Sequence, residues 1–244
     1  MLRFYRSTIG KKYIMAVTGF VLIMFVLGHM VGNLKIFAGV DSKSGLYKLD
    51  VYAVFLREAG APLFGQGQLL WIARVALLGC VLLHILAAIQ LTLLSRAARP
   101  VSYARNSYGV TTYAARTMRW GGVIVALYIV YHLLHFTFGK VHAGAHEFEH
   151  GWVYWNVYHA FRHWYIAAIY TVANAAVCVH LYHGTWSMFQ TLGIDAGSYR
   201  RTLQLGAKLF AWAMFIGYVS VPVCVLSGCI PQPNPYAGIM LLEN

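Results

Sequence analysis

Apolar residues along this chain gather into five long runs, and the segments between them hold most of the charge. The runs cover residues 13–37, 69–95, 119–139, 163–190 and 205–228. An α-helix rises 1.5 Å per residue and a hydrocarbon core is about 30 Å thick, so roughly 20 apolar residues cross it. Every run meets that length. The pattern predicts an all-α integral membrane protein, a single domain over 1–244 with five transmembrane helices in a bundle. Between the first two runs, YKLDVYAVFLREAG predicts a short interfacial helix ending before Pro62. Residues 140–162 read as a connecting loop rich in His, Glu and aromatics, and a Pro-rich tail follows the last run. No repeat of fixed period is visible.

Composition strengthens this picture. Hydrophobic residues make up 59% of the 244, charged residues 11%, and mean hydropathy is +0.59. A soluble domain carries about a quarter charged residues, so little room remains for a separate soluble part. The formal charge of +12 invites a nucleic-acid reading. The basic residues, however, flank the apolar runs instead of forming a stripe with aromatics between them, which excludes nucleic acid as a partner and points to membrane orientation. The first run is too long for a signal-peptide core and lacks an A-x-A-like site, so it is expected to stay as a signal anchor.

Orientation follows from the basic residues. Arg3, Arg6, Lys11, Lys12, then Arg96, Arg99, Arg105, Arg116, Arg119, then Arg200, Arg201, Lys208 share one side of a five-span protein, twelve of the 19 Lys and Arg, with Asp195 the one acid among them. The positive-inside rule predicts a multi-pass inner-membrane protein with its N-terminus in the cytoplasm and its C-terminus outside.

Histidines change the reading from membrane protein to candidate cofactor carrier. The third run is apolar from Trp120 to Gly139 except for His132 and His135, and three other runs carry His29, His84, and His180 with His183. An imidazole at membrane depth is costly and usually faces a partner inside a bundle. A single one is as well explained by a hydrogen bond to a carbonyl. Four helices each offering one suggest two bis-histidine sites, with haem the obvious cofactor. The alternating direction of the helices places His29 and His132 near the outer face and His84 and His180 near the inner, on the order of 10 Å or more apart in depth. His132 and His135 share a helix face, as do His180 and His183, so spacing leaves open which of each couple is the ligand. Gly19, Gly28 and Gly32 would let a neighbouring helix or a flat ligand come close to the first run.

Other residues carry weaker signals. Lys12 and Arg119 flank the inner level and Arg162 the outer; each is a candidate partner of a cofactor carboxylate, although most such residues serve orientation. His135 and His183 divide evenly between contact with the ligand sphere and plain packing. Glu147, Glu149 and His146 are candidate proton groups near the outer level, though charged loop residues are usually just solvated. The loop histidines lack metal-ligand spacing. Of the four cysteines, Cys80, Cys178, Cys224 and Cys229, none forms C-x-x-C-H, so covalent haem attachment is unsupported. They read as small membrane residues, with a Cys224–Cys229 bridge at the outer end of the last helix as the second reading.

Several of these residues together resemble a known family. The run Gly28-His29-Met30-Val31-Gly32-Asn33, Arg119 placed thirteen positions before His132, and His180 followed by Gly184, Trp186 and Ser187 resemble the dihaem cytochrome b membrane anchor of succinate dehydrogenases and fumarate reductases. The likeness extends over nearly the whole chain, including the five spans. It implies two haem b groups, His29 with His132 on the outer iron and His84 with His180 on the inner, thereby favouring the first histidine of each couple. It also implies a quinone, menaquinone foremost, a flavoprotein and an iron–sulfur protein bound at the cytoplasmic face, and electron transfer between that partner and quinone during succinate oxidation or fumarate reduction. On this reading the chain itself carries no residue that acts on succinate, and further oligomerisation of the complex stays open. His135, His183 and the His-rich loop depart from the family's minimal pattern. Two alternatives remain: a cytochrome b subunit of another quinone-linked oxidoreductase, such as a formate dehydrogenase or hydrogenase, and a haem-free transporter using its histidines as a proton relay.

Overall fold

The computed structural model describes residues 7–98, 113–141, 148–194 and 197–234. Among these residues the structure is helical, with one isolated bridge between Val40 and Tyr47 and no strand. Five helices are long and apolar enough to cross a membrane: α1 (Thr8–Asn33), α4 (Gln68–Ala97), α5 (Tyr113–His132), α7 (Trp164–Thr191) and α8 (Arg200–Leu226). The shorter α2 (Lys48–Glu58), α3 (Ala61–Phe64) and α6 (Val153–Phe161) lie in the connections. Many large apolar side chains of the long helices are exposed, Trp120 at 75% and Val172 at 70% among them. A lipid-facing surface requires this, since acyl chains rather than other side chains cover it.

Ordinary capping chemistry sets the ends of α1. Ser7 caps α1 through its hydroxyl, which accepts from the Gly10 amide at 2.9 Å. The 3-10 turn Leu34–Ala38 extends α1 before Gly39 turns the chain. The long helices cover the five apolar runs, but α1 and α8 begin five residues and α5 six residues before theirs; Arg116 and Arg119 lie in the first turns of α5, where polar residues hide a helix from hydropathy alone. The short helix predicted between the first two runs is α2. By contrast, the segment read as a loop between the third and fourth spans contains α6. Its Tyr154, Asn156, Tyr158, His159, Ala160 and Phe161 are buried, an aromatic-rich pattern that the surrounding histidines obscured.

α1 lies along α4, and α5 and α8 both lie along α7, with α7 and α8 also packing on α1. α2, α6 and the segment after α8 pack over one end of the bundle, which we call the capped end. There Ile36, Leu49, Tyr154, Tyr158, Phe161, Ile166, Tyr170, Val221, Val225 and Ile230 form one apolar cluster. Lys12, Arg96, Arg119 and Arg200 lie at the opposite, basic end, and a second cluster centred on Cys178, Leu181 and Met214 fills the middle.

Candidate functional site

His29 of α1 and His132 of α5 meet with ring centroids 5.8 Å apart, nearly perpendicular at 82°. His84 of α4 and His180 of α7 meet at 6.3 Å and 64°. In each pair the two helices are ones that make little backbone contact with each other. The imidazoles therefore face one another across gaps between helices. Two imidazoles on opposite sides of one metal ion, with bonds of about 2.0–2.1 Å as to zinc, have centroids about 6 Å apart. Both pairs have that separation.

The surroundings prepare each ring. At the pair nearer the basic end, the Thr18 hydroxyl donates to the Ile14 carbonyl at 2.7 Å and lies 3.2 Å from His84 Nδ1. A hydroxyl has one proton, so with that proton on Ile14 its oxygen accepts from Nδ1–H of His84. Nε2 then keeps its lone pair, the state a metal-binding imidazole needs. Nδ1 of His180 is buried with no hydrogen-bond partner among the described residues. Buried polar atoms are rarely left so, and a group bound at this depth would satisfy it.

Glycines make the close approaches. A Cβ at Gly19 would lie 3.3 Å from Cε1 of His84, and one at Gly122 would lie 3.8 Å from Cε1 of His180. Of the other two glycines read from sequence as points of approach, Gly32 takes the Tyr52 ring while Gly28 faces open space.

At the pair nearer the capped end, the two histidines of α5 are separated by a change of helix type. Residues Leu133–Thr137 form a π turn, with the Phe138 amide donating to the Leu133 carbonyl at 2.9 Å. Three residues of α-helix leave side chains about 60° apart around the axis, whereas the wider π turn, with about 4.4 residues per turn, spreads them to roughly 115°. The shared face expected from the spacing is thus opened. His132 faces His29, and His135 is fully buried, stacked on Phe136 at 4.2 Å with its Nδ1 3.0 Å from the Tyr170 hydroxyl. His183 is half-buried on α7 one turn beyond His180 and remains in regular helix.

Three helices carry markers of both levels. On α1 these are Gly19, beside His84, and His29; on α5, Gly122, beside His180, and His132; on α7, Tyr170, beside His132, and His180. Each separation is ten residues, or about 15 Å along a helix. The two pairs therefore occupy distinct depths.

The remaining candidates fall in different places. Lys12, Arg119 and Arg162 are exposed. Glu149 is exposed too, while its backbone is held by Asn156, whose amide donates to the Glu149 carbonyl at 2.7 Å and accepts from its amide at 3.1 Å. Glu147 and His146 lie outside the described residues. Among the described residues, no three His, Cys, Asp or Glu side chains converge on one point. An ion held by either histidine pair would need its other donors from a bound group.

One charged residue at the capped end has a role that the sequence does not show. Asp50 is 6% exposed, and its Oδ1 accepts from the Tyr154 amide at 2.9 Å, so a carboxylate from α2 caps the start of α6. Desolvation pushes its pKa up to about 6, against the lowering effects of the Tyr154 and Val153 amides and of Arg57. It lines a small pocket with Leu46, Tyr47, Trp152, Trp155, Pro233 and Asn234. In sequence it is an acidic residue in the first turn of α2, where acids commonly sit for that helix's own sake, so nothing marked it as the cap of another. No protein-family model, curated protein or solved structure matches the chain.

Proposed function

We propose that this chain is the membrane-embedded cytochrome b subunit of a succinate:quinone oxidoreductase, holding two haem b groups between a partner iron–sulfur protein and membrane quinone. The observation that carries the reading is the pairing itself: two imidazole pairs at separate depths, each across a gap between helices that do not pack directly. That arrangement suits a flat macrocycle, whose ring supplies the four donors the protein lacks. When bound, the two haems would supply one-electron carriers at the two levels.

The chain's own residues hold and shield. His29 with His132, and His84 with His180, would hold the two irons. Thr18 fixes the tautomer of His84, Gly19 and Gly122 leave room beside the rings, and the apolar flanks keep water away. The choice of succinate over other donors rests on the likeness of the motifs around His29, His132 and His180 to that family. The basic end would face the cytoplasm, where the iron–sulfur and flavoprotein partners bind, and the capped end the outside. Quinone would react near the capped end, with Asp50 and Glu149 as the proton groups.

The test is spectroscopic and compositional. Purified protein should show a low-spin b-type reduced spectrum, two haems per chain, and co-purifying flavoprotein and iron–sulfur chains. A colourless preparation from a haem-replete host would overturn the reading and leave the proton-relay transporter. A haem-bearing preparation with other partners would move the chain to another quinone-linked oxidoreductase.

A further inference from the structure

The last membrane-spanning helix closes through two bonds. The Cys229 amide donates to the Cys224 carbonyl at 2.9 Å and the Gly228 amide to the Val225 carbonyl at 3.2 Å. Gly228 between them has φ of 79°, the left-handed conformation that glycine adopts without a Cβ penalty. This is the Schellman arrangement, and it folds the residue after the glycine back against the helix three residues from its end. Side chains at those two positions touch, usually as an apolar contact. Here both are cysteines. Cys224 is half-buried, Cys229 is exposed, both are thiols, and they lie within hydrogen-bonding reach of each other. The Ser227 hydroxyl sits 3.2 Å from Cys229 Sγ.

The chain beyond the cysteines is tied down over the capped end. Ile230 is buried, the Tyr154 hydroxyl donates to the Pro231 carbonyl at 2.8 Å, and the Asn234 amide donates to the Tyr47 hydroxyl at 3.1 Å. Tyr47 and Tyr154 stack at 3.7 Å. Cys224 and Cys229 therefore sit at the root of a strap crossing α2 and α6.

We propose that Cys224 and Cys229 form an intrachain disulfide in the mature protein, fixing the helix end from which the strap departs. The proposal rests on the orientation given above, which puts this end in the compartment where disulfides persist. The oxidant is the disulfide of an extracytoplasmic thiol oxidase. The exposed Cys229 thiolate attacks it and forms a mixed disulfide, expelling one oxidase thiolate. The Cys224 thiolate then attacks Cys229 Sγ and expels the second. The two cysteines lose two protons and two electrons, and the oxidase disulfide is reduced to a dithiol.

Differential alkylation of the assembled complex in its native membranes tests this. Membranes are denatured in one maleimide, reduced, treated with a heavier maleimide, and the peptide spanning 224–229 is read by mass spectrometry. The expected result is heavy label on both cysteines, with Cys80 and Cys178 carrying the light one. In Cys229→Ser, Cys224 should switch to the light label. Light label on both in the unmodified chain overturns the proposal. Labelling of Ser42→Cys from outside intact cells, read on its own peptide, separates causes. Thiols free with Ser42→Cys accessible means the pair is not oxidised despite the right compartment. Thiols free with Ser42→Cys protected overturns the orientation as well.

Discussion

The Tyr170 hydroxyl lies 3.0 Å from Nδ1 of His135 and 3.4 Å from Nδ1 of His132, bridging the two histidines that the π turn spreads apart. If Nε2 of His132 binds a metal, its Nδ1 carries the proton and points it at the Tyr170 oxygen, whose own proton then goes to His135. Such an acceptor makes the ligand a stronger base and favours the oxidised metal. Tyr170→Phe should therefore raise the midpoint potential of the haem at this level, leaving the other unchanged. With about 0.5–1.5 kcal/mol for a hydrogen bond, the expected shift is roughly 20–60 mV. Redox titration of the two haems checks it, and equal movement of both would rule it out.

If the chain holds two haems as proposed, their loss should be selective by level. His84→Ala or His180→Ala should remove one haem and His29→Ala or His132→Ala the other, each lowering the ratio from two to one per chain by pyridine haemochrome assay. His135→Ala should retain both. Gly19→Val should behave like His84→Ala, because any Cβ there already presses on the His84 ring.

Turnover should divide along the same line. His29→Ala is expected to abolish succinate:quinone activity while succinate oxidation by a soluble acceptor persists. Full quinone turnover in an assembled complex lacking the haem at the capped level would move the quinone to the basic end.

Asp50 gives stability a pH dependence of its own. Its folded pKa, about 6, is above the ordinary 3.8, so between these values the folded state binds more protons than the unfolded. Stability then falls as pH rises from about 4 to about 6 and levels off above. Asp50→Asn keeps an oxygen to cap α6 and should flatten that slope. Asp50→Ala loses the cap and should cost about 0.5–2 kcal/mol. Thermal unfolding in detergent across this pH range reads all three proteins.

Spans and pairing were legible in sequence because both depend on one dimension. Hydropathy marks length, alternation of direction gives depth, and together they put His29 at the level of His132 and His84 at the level of His180. What was not legible depended on contacts between distant segments. The different facing of His132 and His135 comes from a π turn that no residue of LLHFT announces. Asp50 became a cap only because α2 and α6 meet over the bundle, 104 residues apart in sequence. α6 itself was hidden by polar and aromatic residues that resemble a loop until the apolar cluster beneath them is seen. His180 and His183 were equivalent by spacing, and it is the His180 ring that meets His84.

The ten-residue interval shared by three helices also constrains how such a chain can vary in length. One residue inserted between Gly19 and His29, Gly122 and His132, or Tyr170 and His180 would turn everything beyond it by about 100° and advance it by about 1.5 Å. One level would keep its partners and the other would lose them. Substitution inside those intervals is cheap wherever a side chain faces lipid, but insertion and deletion are not. Length polymorphism among descendants of this sequence should accordingly collect between the long helices and leave the three intervals untouched.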